Sequence, residues 1–308
     1  MKIIFFGTPE FAIPSLDNLI QNKHEILAVV TSVDKPAGRN LALKESPIKV
    51  FALKNNIPIL QPPNLKDPNF QKHLSSFKAD LFVIVAFRML PQAVWNMPPL
   101  GSLNLHASIL PNYRGAAPIN WAIINGETET GLTTFKLQHE IDTGELYLQK
   151  KIPITPTMNA SQLHDILKQE GGILLAQTIE QIETQALLSK PQFLEKNSPI
   201  KSAPKLTSEV CELDFSKSCK EVYNHIRGLS EYPCAYTKLN NKKIKIYSCD
   251  YEFKNNSETI GKIITDKKTF LNFVCKDGVI FVKELQIEGK KKMGVKDFLN
   301  GYSQLLEN

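Results

Sequence analysis

The sequence predicts an α/β domain, a mostly parallel sheet with helices on both faces, followed by a small β-barrel domain. Three observations carry this. The first half alternates short, near-continuous apolar runs with amphipathic stretches, the pattern of parallel strands buried between helical layers. Residues 189–205, "SKPQFLEKNSPIKSAPK", are rich in proline, serine and lysine without any period, as a linker is. Beyond them, closely spaced strand-like segments are joined by Asn-Asn and Asp-Gly turns. The division expected is therefore a first domain over 1–188, a linker over 189–205 and a second domain over 206–308.

Each element has its own signal. "KIIFFG" reads as a buried strand, and "PEFAIPSLDNLIQN" as a helix opened by proline in its first turn. "EILAVVTS" is a strand, and "SPIKVFALKNN" is a helix with a serine cap and Pro47 behind it. "IPIL" is a short strand, "NFQKHLSSF" a helix, "ADLFVIVAF" the most continuous apolar strand, and "GSLNLH" ends the next. "GLTTFKLQ" and "GELYLQKKIPI" flank "HEIDTG" as two strands of an antiparallel edge. "ASQLHDILKQEGGILLAQTIEQIETQ" is helical, with an interruption expected at Gly171 and Gly172. The strands after residue 230 suit a barrel of OB-like size. The first domain is Rossmann-like, yet "FFGTPEFA" is not a G-x-G-x-x-G dinucleotide fingerprint, which disfavours a nicotinamide dehydrogenase.

Composition narrows the class. With 42% hydrophobic and 22% charged residues the chain is an ordinary globular protein. "MKIIFFGTPEF" lacks the apolar core and small-residue cleavage site of a signal peptide, and no window reaches the ~18 apolar residues of a membrane span. The five cysteines match no zinc or Cys-x-x-Cys spacing, so reduced thiols, no metal and a cytoplasmic location are expected. The formal charge of +6 permits a polyanionic partner without demanding one.

Ligands of such sheets bind beyond the carboxyl ends of the strands, where "NLHASILPNYRGAAPI" lies. Asn104 and His106, at i and i+2, share one face of an extended strand. Asn104 can donate an amide to a developing oxyanion, and His106 can move a proton near neutral pH. Asp142, in "EIDTG" where Gly144 lets the chain bend, can orient the imidazole. His139 is a competing base that spacing does not exclude, and each piece alone also suits a structural histidine or a turn former.

Taken together, "LNLHASILPNYRGAAPINWAIINGETETGLTTF", "IDTGELY", "GTPEFA", "DKPAGR" and "SAPKLTSEV" resemble the formyltransferases that use 10-formyltetrahydrofolate, and among them those acting on methionyl-tRNA. The resemblance spans nearly the whole chain and is weaker in the barrel. It implies formyl transfer to the α-amine of initiator methionyl-tRNA for translation initiation, by a catalytic domain and an OB-like tRNA-binding domain. Asn104 and His106 would flank the formyl carbon, with Asp142 holding the site. Asn104 and protonated His106 would stabilise the oxyanion, and His106 or a water on Asp142 would manage the amine's proton. Ser108, Ile109, Leu110 and Pro111, with Phe87, would line the folate pocket, and a monomer is expected.

The resemblance also sends the loop "TSVDKPAGRNLALKESPIK" to the acceptor stem, with Arg39 as its main contact, among Lys35, Lys44 and Lys49. That loop exceeds the two to six residues, roughly, of an ordinary strand–helix connection. Lys242, Lys243 and Lys245 are the candidate phosphate contacts of the barrel. On the residues alone, an ordinary charged loop and a solvated lysine face explain both. Two departures from the family pattern stand out: "NLALKE" after Arg39 is poorer in glycine and lysine, and "VAFRMLP" lacks a glycine after Phe87. Two other readings are kept: the same chemistry on an amino-sugar nucleotide or small amine, and an RNA-binding module without catalysis.

Overall fold

The computed structural model describes residues 1–37, 42–193, 199–255 and 257–306. They divide into two compact units. The first comprises Met1–Arg114, Thr130–Ile152 and His164–Ser202, and the second Gly115–Glu129, Pro153–Leu163 and the chain from Ala203 onward.

In the first unit, β1 (Lys2–Gly7) is the central strand: Ile3, Ile4, Phe5 and Phe6 are wholly buried, as a strand covered on both faces requires. A 3-10 turn at Glu10–Ala12 precedes α1 (Ile13–Gln21), which starts later than the sequence suggested because Pro14, not Pro9, occupies its first turn. β2 (Glu25–Val30) leads to a small hairpin of β3 (Lys35–Ala37) and β4 (Ala42–Lys44). α2 (Pro47–Lys54) is capped by the Ser46 hydroxyl, and after β5 (Ile59–Leu60), α3 (Pro68–Ser76) is capped by Asp67. Then follow β6 (Leu81–Val85), α4 (Gln92–Trp95) and β7 (Ser102–His106).

Farther along, β8 (Arg114–Gly115) and α5 (Pro118–Ile124) precede β9 (Glu129–Lys136) and β10 (Leu146–Pro153). The sheet order is β10-β9-β7-β6-β1-β2-β5. β7-β6-β1-β2-β5 run parallel, and β9 lies antiparallel to β7, so the expected antiparallel edge is present. The helix α6 (Ala160–Glu183) is continuous over 24 residues, which corrects the interruption expected at Gly171 and Gly172. These glycines serve close packing instead: a Cβ on Gly171 would sit 2.8 Å from Leu105 Cδ2, and one on Gly172 2.6 Å from the Pro14 carbonyl oxygen.

The second unit is built on an antiparallel sheet. After β11 (Ser202–Ala203) and α7 (Ser208–Cys211), α8 (Cys219–Leu229) opens with a capping box between Ser218 and Glu221. The strands are β12 (Ala235–Leu239), β13 (Lys242–Phe253), β14 (Ile263–Thr265), β15 (Leu271–Cys275) and β16 (Gly278–Ile287). Their order is β12-β13-β16-β15-β14, with β17 (Met293–Gly294) on β16, before α9 (Val295–Tyr302). The sheet thus ends at β12 and β14, a curled half-barrel. Its buried face and α8 share one core, with Val222, Ile226, Ile244, Ile280, Leu285 and Phe298 almost fully enclosed. α5 belongs to this unit, where Asn120 Nδ2 donates to the Gly228 carbonyl at 2.8 Å. All five cysteines are buried and unpaired. Among the described residues no helix is long and apolar enough to cross a membrane.

Candidate active site

The site is assembled where β7 ends. Asn104 pairs in register with Ile84 on β6 and Phe135 on β9, and His106, the last residue of the strand, lies opposite Thr133. The two residue spacing puts both side chains on one face of the sheet. Asn104 is half-buried and its amide has no side-chain hydrogen bond among the described residues. His106 is 7% exposed. Its Nε2 lies 2.8 Å from the Tyr113 carbonyl oxygen; a carbonyl can only accept, so Nε2 carries the hydrogen and donates. Nδ1 faces Asp142, 3.7 Å from Oδ2.

Asp142 sits in the turn between β9 and β10 with φ of 54°, the left-handed region that Asp tolerates better than most residues. The bend is thus made by Asp142 itself. Gly144 has another duty: a Cβ there would overlap the Lys136 carbonyl oxygen, so only glycine allows this turn to lie against the end of β9. His139, the rival base, has no described contact with His106, whose imidazole is turned to Asp142.

The bend after His106 is held by a threonine that sequence reasoning missed. Thr133 Oγ1 donates to the Ser108 carbonyl at 2.7 Å and accepts from Leu110 N at 3.2 Å and from Gln149 Nε2 at 2.9 Å. Gln149 also donates to the Leu110 carbonyl at 2.9 Å, and Ser108 Oγ to the Asn112 carbonyl at 2.6 Å. Ser108 and Leu110 are buried with their polar groups engaged inside the protein, whereas Ile109 and Pro111 are half-buried. The signal for Thr133 was available only through register: it is the residue opposite His106 in "GLTTF".

Comparison with known proteins places the whole chain. The formyl transferase family model matches residues 1–179, and the formyl transferase C-terminal domain model matches residues 205–303. The chain belongs to the formyl transferase family. A methionyl-tRNA formyltransferase of Flavobacterium johnsoniae is 48% identical over 98% of this chain and 96% of its own length. One of Bacteroides fragilis is 45% identical over 98% and 95%. Among solved structures, the sugar 3N-formyl transferase WlaRD, determined with dTDP and 5-N-formyl-THF, superposes with a TM-score of 0.67 at 23% identity, covering 94% of this chain and 99% of its own. The methionyl-tRNA formyltransferase from Clostridium thermocellum gives 0.58 at 15% identity, covering 93% and 98%. These distant structures establish the formyltransferase fold.

The remaining site candidates lie at other strand ends and in the second unit. Phe87, just after β6, is half-buried and meets the Phe6 ring edge-on with centroids 5.7 Å apart. Arg88 beside it donates to the carbonyl oxygens of Pro62 and Pro63. Lys35 and Lys44 are exposed and directly opposed across the β3–β4 hairpin, a like-charge pairing that disfavours the isolated hairpin and is relieved by an anion. Arg39 lies outside the described residues. Lys49, grouped with those lysines from sequence, is engaged elsewhere: its ammonium is paired with Asp34 and, at 2.9 Å, with Glu45. In the second unit, Lys242 is exposed, Lys243 lies over the Tyr236 ring at 3.5 Å, and Lys245 is half-buried opposite Tyr236 and Gln286.

Proposed function

We infer that the chain transfers the formyl group of 10-formyltetrahydrofolate to the α-amine of initiator methionyl-tRNA, giving formylmethionyl-tRNA in the bacterial cytoplasm. The near-full-length likeness to methionyl-tRNA formyltransferases supports the acceptor. The single observation that carries the chemistry is the His106–Asp142 pair beside an amide, Asn104, that has no side-chain partner among the described residues.

The three residues divide the work by what each can offer. The Tyr113 carbonyl occupies Nε2 of His106, leaving Nδ1 as the reactive nitrogen. Nδ1 and Asp142 Oδ2, 3.7 Å apart, are too far apart for a direct hydrogen bond and make a pair of acceptors for an amine's N–H groups. As the amine attacks and the new C–N bond forms, Nδ1 takes its proton, with Asp142 stabilising the imidazolium. The Asn104 amide donates to the oxyanion. When the oxyanion collapses, the bond from the formyl carbon to N10 breaks and the imidazolium returns the proton to N10. The folate is a co-substrate held beside the bend. Ile109 and Pro111, half-buried, face it with Phe87, while Ser108 and Leu110 shape the backbone behind them.

Acceptor contacts are assigned to Arg39, to Lys35 and Lys44 on β3 and β4, and to Lys242, Lys243 and Lys245 on β13. The protein acts as a monomer, with 1–188 catalytic, 189–205 as linker and 206–308 bearing on the tRNA. The test is formylation of charged initiator tRNA with the folate supplied. Wild-type activity that falls by at least about 10³-fold in His106→Ala, the usual scale for a general acid–base residue, is the expected result. Absence of formylmethionine above background with the wild-type protein overturns the reading. Transfer to an amino-sugar nucleotide but not to tRNA would move the acceptor to the other branch of the family.

A further inference from the structure

The segment that sequence composition marks as a linker carries the most specific contacts not used above. Gln192 Nε2 donates to the carbonyl oxygen of Asp142 at 2.8 Å and to that of Gly144 at 2.9 Å. Its Oε1 accepts from the Arg114 guanidinium. Arg114 directly follows Tyr113, whose carbonyl fixes Nε2 of His106. One side chain therefore spans the two loops that supply the base and its carboxylate. The approach of the segment is itself fixed. Leu146 and Lys190 exchange backbone hydrogen bonds of 2.7 and 2.8 Å, and Ser189 Oγ donates to Glu145 Oε2 at 2.5 Å.

We propose that Gln192 is a positioning residue for formyl transfer, holding the Asp142 turn at its working distance from His106. The inference rests on the assignment of His106 and Asp142 made above. The chemistry selects glutamine: two N–H groups meet two convergent carbonyl oxygens while the amide oxygen meets a guanidinium, which satisfies every atom of the side chain's polar end. A glutamate could keep Arg114 but would turn a carboxylate oxygen on two carbonyls. Asp142 has φ of 54°, outside the broad minima of an L-residue, so the turn has an alternative to relax into once the amide is lost. Relaxation would shift the Asp142 carboxylate from Nδ1. A displacement of about 1 Å at a reacting pair is enough to slow an enzyme roughly 100-fold.

The experiment is a double-mutant cycle on the full chain, assayed with 10-formyltetrahydrofolate and charged initiator tRNA. Gln192→Glu and Gln192→Leu are each expected to lower kcat by about 10- to 100-fold, with KM for both substrates within two-fold of wild type. The thermal midpoints should lie within a few degrees of wild type, and the leucine variant guards against a defect of the glutamate's charge alone. Introduced into Asp142→Asn, either change should cause no further loss, because Gln192 acts through Asp142. A kcat within two-fold of wild type, a rise confined to KM for tRNA, or a full additional loss on top of Asp142→Asn would each overturn the proposal. An Asp142→Asn enzyme as active as wild type would overturn it too, and would place the fault in the assignment of Asp142 rather than of Gln192.

Discussion

Replacing Thr133 by valine removes one oxygen and keeps the shape. The hydroxyl is fully buried and serves the Ser108 carbonyl, the Leu110 amide and the Gln149 side chain at 2.7, 3.2 and 2.9 Å. Gln149 keeps the Leu110 carbonyl, so two groups are orphaned, a C=O and an N–H. A buried polar group left without a partner costs about 1–3 kcal/mol, which places Thr133→Val at about 2–6 kcal/mol of stability. Thr133→Ser retains the hydroxyl and loses a methyl group, at about 1 kcal/mol. The chain has two tryptophans, Trp95 in the first unit and Trp121 in the second. In a Trp121→Phe background the fluorescence of Trp95 therefore follows urea unfolding of the first unit alone. A loss under about 0.5 kcal/mol for the valine variant, the range of ordinary surface substitutions, would refute the view that this hydroxyl holds the bend beneath His106.

The other predictions concern charge. Lys49→Met should leave the slope of log K against log salt unchanged, since its ammonium is committed to Asp34 and Glu45. Lys35→Ala and Lys44→Ala should each reduce that slope by about 0.7–0.9; filter binding across a salt series separates the two kinds of lysine, and a full unit lost in Lys49→Met would return it to the phosphate contacts. In the second unit, His225 Nε2 donates to the Val210 carbonyl at 2.6 Å. Burial holds its imidazole below the ordinary histidine value, with Lys217 acting in the same direction and Asp214 against it. A depressed folded value means that the stabilisation is complete above the unfolded pKa, about 6.5, and is lost as pH falls from there through the folded value. Urea midpoints of this unit should thus drop as pH falls below about 6.5, and His225→Gln should flatten that dependence. An equally steep dependence in the variant would show that other groups cause it.

Strand and helix order were legible because each element announces itself locally. "KIIFFG" and "LFVIV" are too apolar for anything but strands buried on both faces, and Ser46–Pro47 and Asp67–Pro68 cap their helices by side chain and fixed φ together. The glycine pair in α6 misled because propensity weighs the loss of a side chain and cannot weigh the neighbours that need it absent, here Leu105 and Pro14. Residue type and spacing offered Asn104, His106 and Asp142 as candidates beside the rival His139, and the resemblance chose among them. Thr133 and Gln192 could not be named this way, since what each does depends on a register or a segment meeting, 25 and 50 residues from its partner in the chain. Lys49 shows the same limit for charge: composition counts a lysine as available, and only the fold reveals the carboxylates that claim it.

The Tyr113 carbonyl explains why the bend after His106 is so densely specified. A strand-end histidine left to itself can carry its proton on either nitrogen, and half of those states would present the wrong one. An acceptor at Nε2 removes that choice, but only if the chain turns back within seven residues to deliver a carbonyl to the ring. Tyr113 adopts φ of 61° to do so, and the Thr133 and Gln149 contacts tie down the residues between. The ring's Nδ1 then faces the Asp142 carboxylate, 3.7 Å from Oδ2. The residues that looked like a crowded loop are thus what fixes Nε2 as a donor and turns Nδ1 toward Asp142.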